Sequence, residues 1–379
     1  MKKILKMILG LAAGCLLGVF VGLGAAVVFG GKTWAEVLSK VANIDVTTII
    51  IPIFIMTIGL VVAFVLQIIV HEAGHLVAGL LTGYRFVSFR ILSLTLIKRD
   101  GHLRLSRYSL GSTGGQCLMA PPLRPIEEID TRWYNLGGVL ANILLSIAAL
   151  LVCLLFDLPS EATIIMVFVI FFGLFMAITN GIPMKVGGMN NDGYNLFHLE
   201  KSPLDKRILC KMLEANARMQ NGEQPRQLPD EMFLEDGTGW SDALQVNWQL
   251  MVVTRLINQQ RWEEAYTLMK EGLSKKDSMP KLFFLELSLE MVFVCLATGR
   301  TDEARQLYDK ELSGYLKKYV KTHSSKARIL CAIELLMNGN RDEALRIKDN
   351  LTARRNDFLM QGEVAMDIEL MSEIIKVKK

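Results

Sequence analysis

From Val46 to Leu81 the chain runs through 36 residues that are almost entirely apolar, interrupted at membrane depth only by Gln67 and the cluster His71-Glu72-Ala73-Gly74-His75. Such a run reads as a helix in a bilayer, because hydrocarbon offers backbone N–H and C=O groups no partner and a helix satisfies them internally. At ~1.5 Å per residue it exceeds the ~30 Å hydrocarbon core, so a tilt, a break near Pro52 or a protrusion into water is expected. Two histidines and a glutamate inside it are costly unless they face a polar cavity or hold a metal.

Three more apolar runs, Ile4 to Gly30, Leu136 to Phe156 and Ala162 to Ile182, bring the expectation to about four spans. The first carries Gly10, Gly14, Gly18 and Gly22 on one helix face, where a second backbone could approach closely. Between the second and third spans, residues 83 to 133 hold Arg85, Arg90, Lys98, Arg99, Arg104, Arg107, Arg124 and Arg132. The segment from Gly31 to Asp45 sets only Lys32 and Lys40 against Glu36 and Asp45. Positive charge therefore places the N-terminus, the 83 to 133 loop and the C-terminal half in the cytosol of a multi-pass protein of the cell membrane.

Charge divides the chain near residue 200: 25 charged residues lie in the first 200 positions and 55 in the remaining 179. The first part is membrane-like and the second water-soluble. The net charge of +4 is spread over both, which leaves no basic face for nucleic acid. The six cysteines form no CxxC pair, so neither a disulfide framework nor a cysteine-ligated zinc is expected.

The fold class expected is mainly α: a polytopic membrane helix bundle with a small cytosolic β-hairpin insertion and a C-terminal α-helical repeat domain. Its parts are residues 1–45, an N-terminal span and short external loop; 46–200, the membrane core with its cytosolic loop 83–133; and 201–379, a cytosolic helical domain. The hairpin is read at Arg85 to Ile97 and His102 to Leu110, turning at Asp100-Gly101, with Gly111 to Pro125 as loop. In the last part Ala265, Ala304 and Ala344 close three similar acidic segments 39 and 40 residues apart, which suggests a tetratricopeptide-like array of helical hairpins.

His71 and His75 stand at i and i+4, one turn apart on one helix face, where both reach a single Zn2+ at ~2.0 to 2.1 Å. Glu72 is placed beside them to take a proton from an attacking water. Catalytic zinc takes a third protein ligand, for which Asp192 is the best candidate: Pro183, Gly187, Gly188 and Gly193 break the helix after the last span and let the chain turn back. An ordinary Asp-Gly turn is the competing reading of Asp192, and His198 is the fallback ligand.

These pieces together resemble the site-2 protease family of intramembrane zinc metalloproteases. The likeness rests on HExxH at 71–75, on Gly137-Gly138-Val139-Leu140-Ala141-Asn142, which is similar to the family's Gly-Pro-x-x-Asn element, and on Asn180 to Pro183 followed by Asp192-Gly193. It covers about residues 46 to 200. It implies a three-helix catalytic core in which His71, His75 and Asp192 hold zinc, Glu72 is the general base, and the site opens to the cytosol. Asn142 and Asn180 are candidates for binding substrate backbone or orienting a ligand.

The expected activity is zinc-dependent hydrolysis of a peptide bond in or near a transmembrane segment of a substrate protein, within the lipid bilayer. Because a helix hides its carbonyls, that segment must unwind before it is cut, and the hairpin at 85–110 could pair with it by edge addition. A cytosolic protein partner is expected on the helical tail. Two other readings are a catalytically inactive membrane scaffold that binds partners through this tail, against which the intact Glu72 argues, and a membrane zinc protease whose third ligand is a glutamate on a later helix.

Overall fold

The computed structural model describes residues 24, 27–28, 30–31, 33–42, 46–99, 101–108, 114–186, 189–235 and 237–377. The first apolar run, Ile4 to Gly30, and its row of four glycines lie almost wholly outside the described residues. Among those described the chain is mainly helical, with three segments long and apolar enough to cross a bilayer: Ile51–Leu81, Ile126–Leu155 and Ser160–Gly181.

The chain forms two compact units. The smaller consists of residues up to Val62 together with Leu158–Ile165. In it, helix α1 (Trp34–Ala42) begins on a reciprocal cap: the Thr33 N–H donates to Glu36 Oε2 at 2.9 Å and the Glu36 N–H to Thr33 Oγ1 at 3.3 Å. Helix α2 (Val46–Leu81) starts in this unit and runs through Pro52 without the expected break. Proline removes one backbone bond near the helix start, which costs less than opening the neighbouring turns toward hydrocarbon.

The larger unit, Ala63–Asp157 with Met166–Lys379, contains the rest of α2, helices α3 (Arg132–Leu155) and α4 (Ser160–Gly181) from Met166 on, a small sheet and the whole tail. Helices α2 and α3 touch backbone to backbone. A Cβ on Gly74 would lie 2.2 Å from Gly137 O, and one on Gly137 would lie 2.4 Å from Gly74 O, so only glycine permits this crossing. About two turns further along, Gly173 of α4 faces Ser146 Oγ and Gln67 Nε2, which brings the third helix against both. Polar groups at this depth are satisfied across helices: Gln67 Nε2 donates to Val169 O at 2.7 Å.

The insertion between α2 and α3 is a four-stranded antiparallel sheet in the order β3-β2-β1-β4, larger than the expected hairpin. Its strands are β1 (Arg85–Ile91), β2 (Leu94–Arg99), β3 (His102–Arg107) and β4 (Gly115–Ala120). The run read as one strand, Arg85 to Ile97, is folded in two by a turn at Leu92, whose φ is +53°. Strands β2 and β3 pair as expected, with Arg99 opposite His102, while Asp100 of the expected turn lies outside the described residues. Strand β4 lies in the stretch read as loop. Its six residues carry no β-branched side chain and sit between Gly114 and Pro121, so local propensity gives no strand signal; packing forms it. Met119 fills the space over Gly79 of α2, and Leu118 and Ala120 pack with Ala217 of helix α6 (Pro203–Gln220). Strand β4 is thereby held between a membrane helix and the tail.

After α4 the chain makes a two-residue ribbon, Lys185–Val186 with Met189–Asn190, and enters the short helix α5 (Asp192–His198). The tail continues through α6, α7 (Ala243–Asn258), α8 (Trp262–Ser274), α9 (Lys281–Ala297), α10 (Thr301–Leu307), α11 (Lys310–Tyr319), α12 (Ser324–Ala332), α13 (Arg341–Ala353) and α14 (Gln361–Val377). Helices α8, α10 and α13 begin alike. Ala265, Ala304 and Ala344 are each fully buried, and five residues before each stands a left-handed residue, Gln260, Gly299 and Gly339.

Candidate metal centre

His71 and His75 lie on α2 about three and two turns from its C-terminal end, buried against α3. The chain that supplies Asp192 is brought back by two devices. Asn191 caps α5, its Oδ1 accepting the Tyr194 N–H at 2.9 Å and the Met184 N–H at 3.1 Å, while its Nδ2 donates to Thr179 O and Ile182 O. Gly193 then packs on the end of α4 so tightly that a Cβ would stand 2.2 Å from Gly181 O. As a result Asp192 Oδ2 lies 3.1 Å from His71 Nε2 and 3.2 Å from His75 Nε2, and the two Nε2 atoms are 3.2 Å apart. Among the described residues this is the grouping of histidine, cysteine and acidic side chains that could hold a metal ion.

The protons in this triangle follow from the groups behind it. His75 Nδ1 is 2.7 Å from the carbonyl oxygen of Tyr134, which only accepts, so Nδ1 carries the proton and Nε2 presents a lone pair. Behind His71 stands Asn142, fully buried. Its Nδ2 donates to Gln67 O at 2.9 Å and to Gln67 Oε1 at 2.6 Å, which turns its Oδ1 toward His71 Nδ1 at 2.7 Å. His71 Nε2 is therefore also a lone pair. Two imidazole lone pairs and a carboxylate oxygen meet at one point with no proton between them, and Asp192 Oδ2 has no hydrogen-bond partner. Such an array repels itself unless a cation sits at its centre.

The donor set and its size fit zinc. Three ligands at 2.0 to 2.1 Å around a tetrahedral ion stand about 3.3 Å from one another, close to the 3.1 to 3.2 Å found.

Glu72 lies at the rim, half-buried against β4. A Cβ on Gly115 would be 2.7 Å from its Cγ and its Oε1, and the carboxylate is in reach of the Cys117 N–H. Gly138 of α3 lies directly under the imidazoles: a Cβ there would be 2.5 Å from His75 Nε2 and 2.7 Å from His71 Cε1. Tyr134 stacks on Tyr84 with ring centroids 4.8 Å apart and donates its hydroxyl to Cys117 O, tying the sheet to the helix that carries the His75 acceptor.

The structure thus brings His71, His75, Glu72 and Asp192 together. Asn142 sits behind His71 with both amide atoms engaged. Asn180 is half-buried at the end of α4, where its Nδ2 donates to Met176 O at 2.9 Å. His198 is 2.6 Å from Asp205 and away from the triangle, and His102 is exposed at the start of β3. Residues that sequence reasoning gave no role here are Gly115, Gly138, Tyr134, Asn191 and Gln67. Of these Gln67 left a signal as the amide that interrupts the long apolar run, and Gly138 as part of the element at 137–142.

Compared with known proteins, the chain matches no curated protein and no solved structure. A family model does match, that of Peptidase family M50, over residues 59–343. The match takes in the histidine pair, the glycine crossing and Asp192, and runs on beyond the membrane core into the helical tail. It covers about three quarters of the sequence, and on that extent the chain belongs to Peptidase family M50.

Proposed function

We propose that this protein is a zinc-dependent endopeptidase that cuts a peptide bond in or near a transmembrane segment of another protein. The observation that carries the reading is the meeting of three donor atoms, His71 Nε2, His75 Nε2 and Asp192 Oδ2, beside the carboxylate of Glu72 in a chain of a peptidase family. When bound, zinc supplies Lewis acidity toward a peptide carbonyl and an attacking water.

The chain's own residues do the rest. A Glu72 oxygen accepts the proton of the attacking water and returns it to the leaving amine. Tyr134 O and Asn142 Oδ1 keep the two imidazoles in the tautomer that leaves Nε2 free. This assigns Asn142 to orienting His71 and leaves Asn180 as the amide nearer the substrate. The sheet edge that serves an unwound substrate is β4, which touches Glu72; β3 is the opposite edge, three strand spacings or about 14 Å away.

The same reading makes the protein multi-pass, with its termini in the cytosol, as loop charge indicates. The alike starts of α8, α10 and α13 support a tetratricopeptide-like array in the tail. The test is cleavage of a transmembrane substrate in detergent by wild type and Glu72→Gln. The variant should keep its zinc and lose at least about a hundredfold in rate. Unchanged cleavage in Glu72→Gln would remove Glu72 from the chemistry, and no cleavage by zinc-loaded wild type on any substrate tried would favour the scaffold.

A further inference from the structure

A cavity in the tail is lined by four carboxylates, of which Glu290 and Asp367 are buried and Glu286 and Glu363 half-buried, with fewer cations to pair with them. Between α7, α9, α12 and α14 lies a space of about 320 Å3, walled by Glu286, Glu290, His323, Arg328, Glu363 and Asp367. Arg328, 1% exposed, is held by Glu290 at 2.7 Å and Asp367 at 2.6 Å, and Lys326 is paired with Glu286. Two cations thus face four carboxylates. Among the described residues no hydrogen bond or ion pair holds Glu363, and burial beside Asp367 and Glu290 pushes its carboxyl up to about 7. Asp367 Oδ2 and Arg328 Nη1, on side chains that are almost wholly buried, have no hydrogen-bond partner. Excess buried charge of one sign is costly unless a ligand of the other sign completes it.

A second space of about 190 Å3 shares Asn216, His323, Ser325 and Glu363 with the first and extends to Gln116 and Leu118 of β4. Side chains alternate along a strand. The neighbouring Gly115 and Cys117 adjoin Glu72 on the other face, so the acidic path begins one strand away from the catalytic carboxylate.

We propose that this cavity is an exosite for the cytosolic flank of the substrate, a segment of extended peptide rich in lysine and arginine. The inference rests on the proteolytic reading above. Membrane spans carry their positive charge on the cytosolic side, and a flank leaving the cut passes β4 before it reaches Glu363. Its ammonium or guanidinium groups complement Glu363 and the open oxygen of Asp367, and its backbone carbonyls offer Arg328 Nη1 an acceptor.

The experiment uses the full chain carrying Glu72→Gln, so that binding is read without cleavage, with fluorescein-labelled pentalysine and pentaglutamate as probes in an anisotropy titration. Pentalysine should bind and pentaglutamate should not. Glu363→Gln, isosteric and without a partner to lose, should weaken pentalysine about tenfold, and Glu363→Lys should abolish its binding. Equal binding of the two probes, or no effect of Glu363→Gln in a protein that melts cooperatively, overturns the proposal. Cleavage is read separately, on an active chain, with substrates whose flank carries lysine or glutamine. The exosite predicts a KM about tenfold higher for the glutamine flank, a difference that Glu363→Gln erases. Cleavage with identical KM for both flanks overturns the exosite alone, whereas absence of cleavage of either substrate overturns the proteolytic reading.

Discussion

Gly138→Ala adds a single methyl group to the protein and should empty its metal centre. The added Cβ would lie 2.5 Å from His75 Nε2 and 2.7 to 2.8 Å from two atoms of the His71 ring. Comfortable contact begins at about 3.5 Å, so the imidazoles must retreat by roughly 0.7 to 1.0 Å, against a tolerance of about 0.2 Å in a zinc–ligand distance. They cannot retreat freely, since Tyr134 O and Asn142 hold them from behind at 2.7 Å each. Losing an outer partner of a zinc ligand typically costs 10- to 100-fold in affinity; displacing two ligands should cost about 100-fold or more. The assay is competition for zinc against a chromophoric chelator in detergent, with helix content followed by circular dichroism. Val139→Ala, which removes packing on the same turn without touching the imidazoles, should bind zinc as the wild type does. Wild-type zinc affinity in a folded Gly138→Ala protein would refute the geometry.

Three further outcomes follow from the same contacts. Gln67→Ala frees the Asn142 amide to turn, so zinc affinity should fall about 10- to 100-fold while Gln67→Glu, which keeps an acceptor for Asn142 Nδ2, loses less; equal losses in the same competition assay would contradict the relay. Gly115→Ala should abolish cleavage by pushing Glu72 aside, with zinc retained, whereas proline at Leu105 in the far edge strand should leave cleavage unchanged; the reverse pattern in a fluorogenic assay would move the substrate to β3. The Glu363 carboxyl, raised from 4.5 to about 7 by burial and by Asp367 and Glu290 against the partial relief of Lys326 and Arg328, binds more protons folded than unfolded, so its stability contribution is present below pH 4.5 and is lost as pH rises through 7. That loss amounts to about 3 kcal/mol at ~1.36 kcal/mol per pH unit, so melting of Glu363→Gln should match wild type at low pH and exceed it at pH 8.

Much of the metal centre was legible because it depends on local spacing. Two histidines one turn apart on an apolar helix declare themselves, and Pro183 with its glycines announces a chain reversal that brings back Asp192. What was hidden depends on contacts between elements distant in sequence. Asn142 is open between binding substrate backbone and orienting a ligand until Gln67, 75 residues away, is seen to fix its amide. Gly115 and Gly138 look like ordinary loop and membrane glycines, and only the nearness of Glu72 and of the imidazoles makes them necessary. Strand β4 carries no strand signal because its neighbours, not its residues, make it one, and Leu92 hides a turn in a conformation that leucine seldom adopts. The tail showed its helix starts through three alanines, but not its surplus of carboxylates, which α9 and α14 bring together around two cations of α12.

Zinc per chain in purified wild type, Glu72→Ala, His71→Ala and Asp192→Ala tests the central claim most directly. The account predicts about one zinc in the first two and its loss in the other two, with Glu72 beside the ion and outside its ligand set. Full zinc in Asp192→Ala, or none in folded wild type after supplementation, would contradict it.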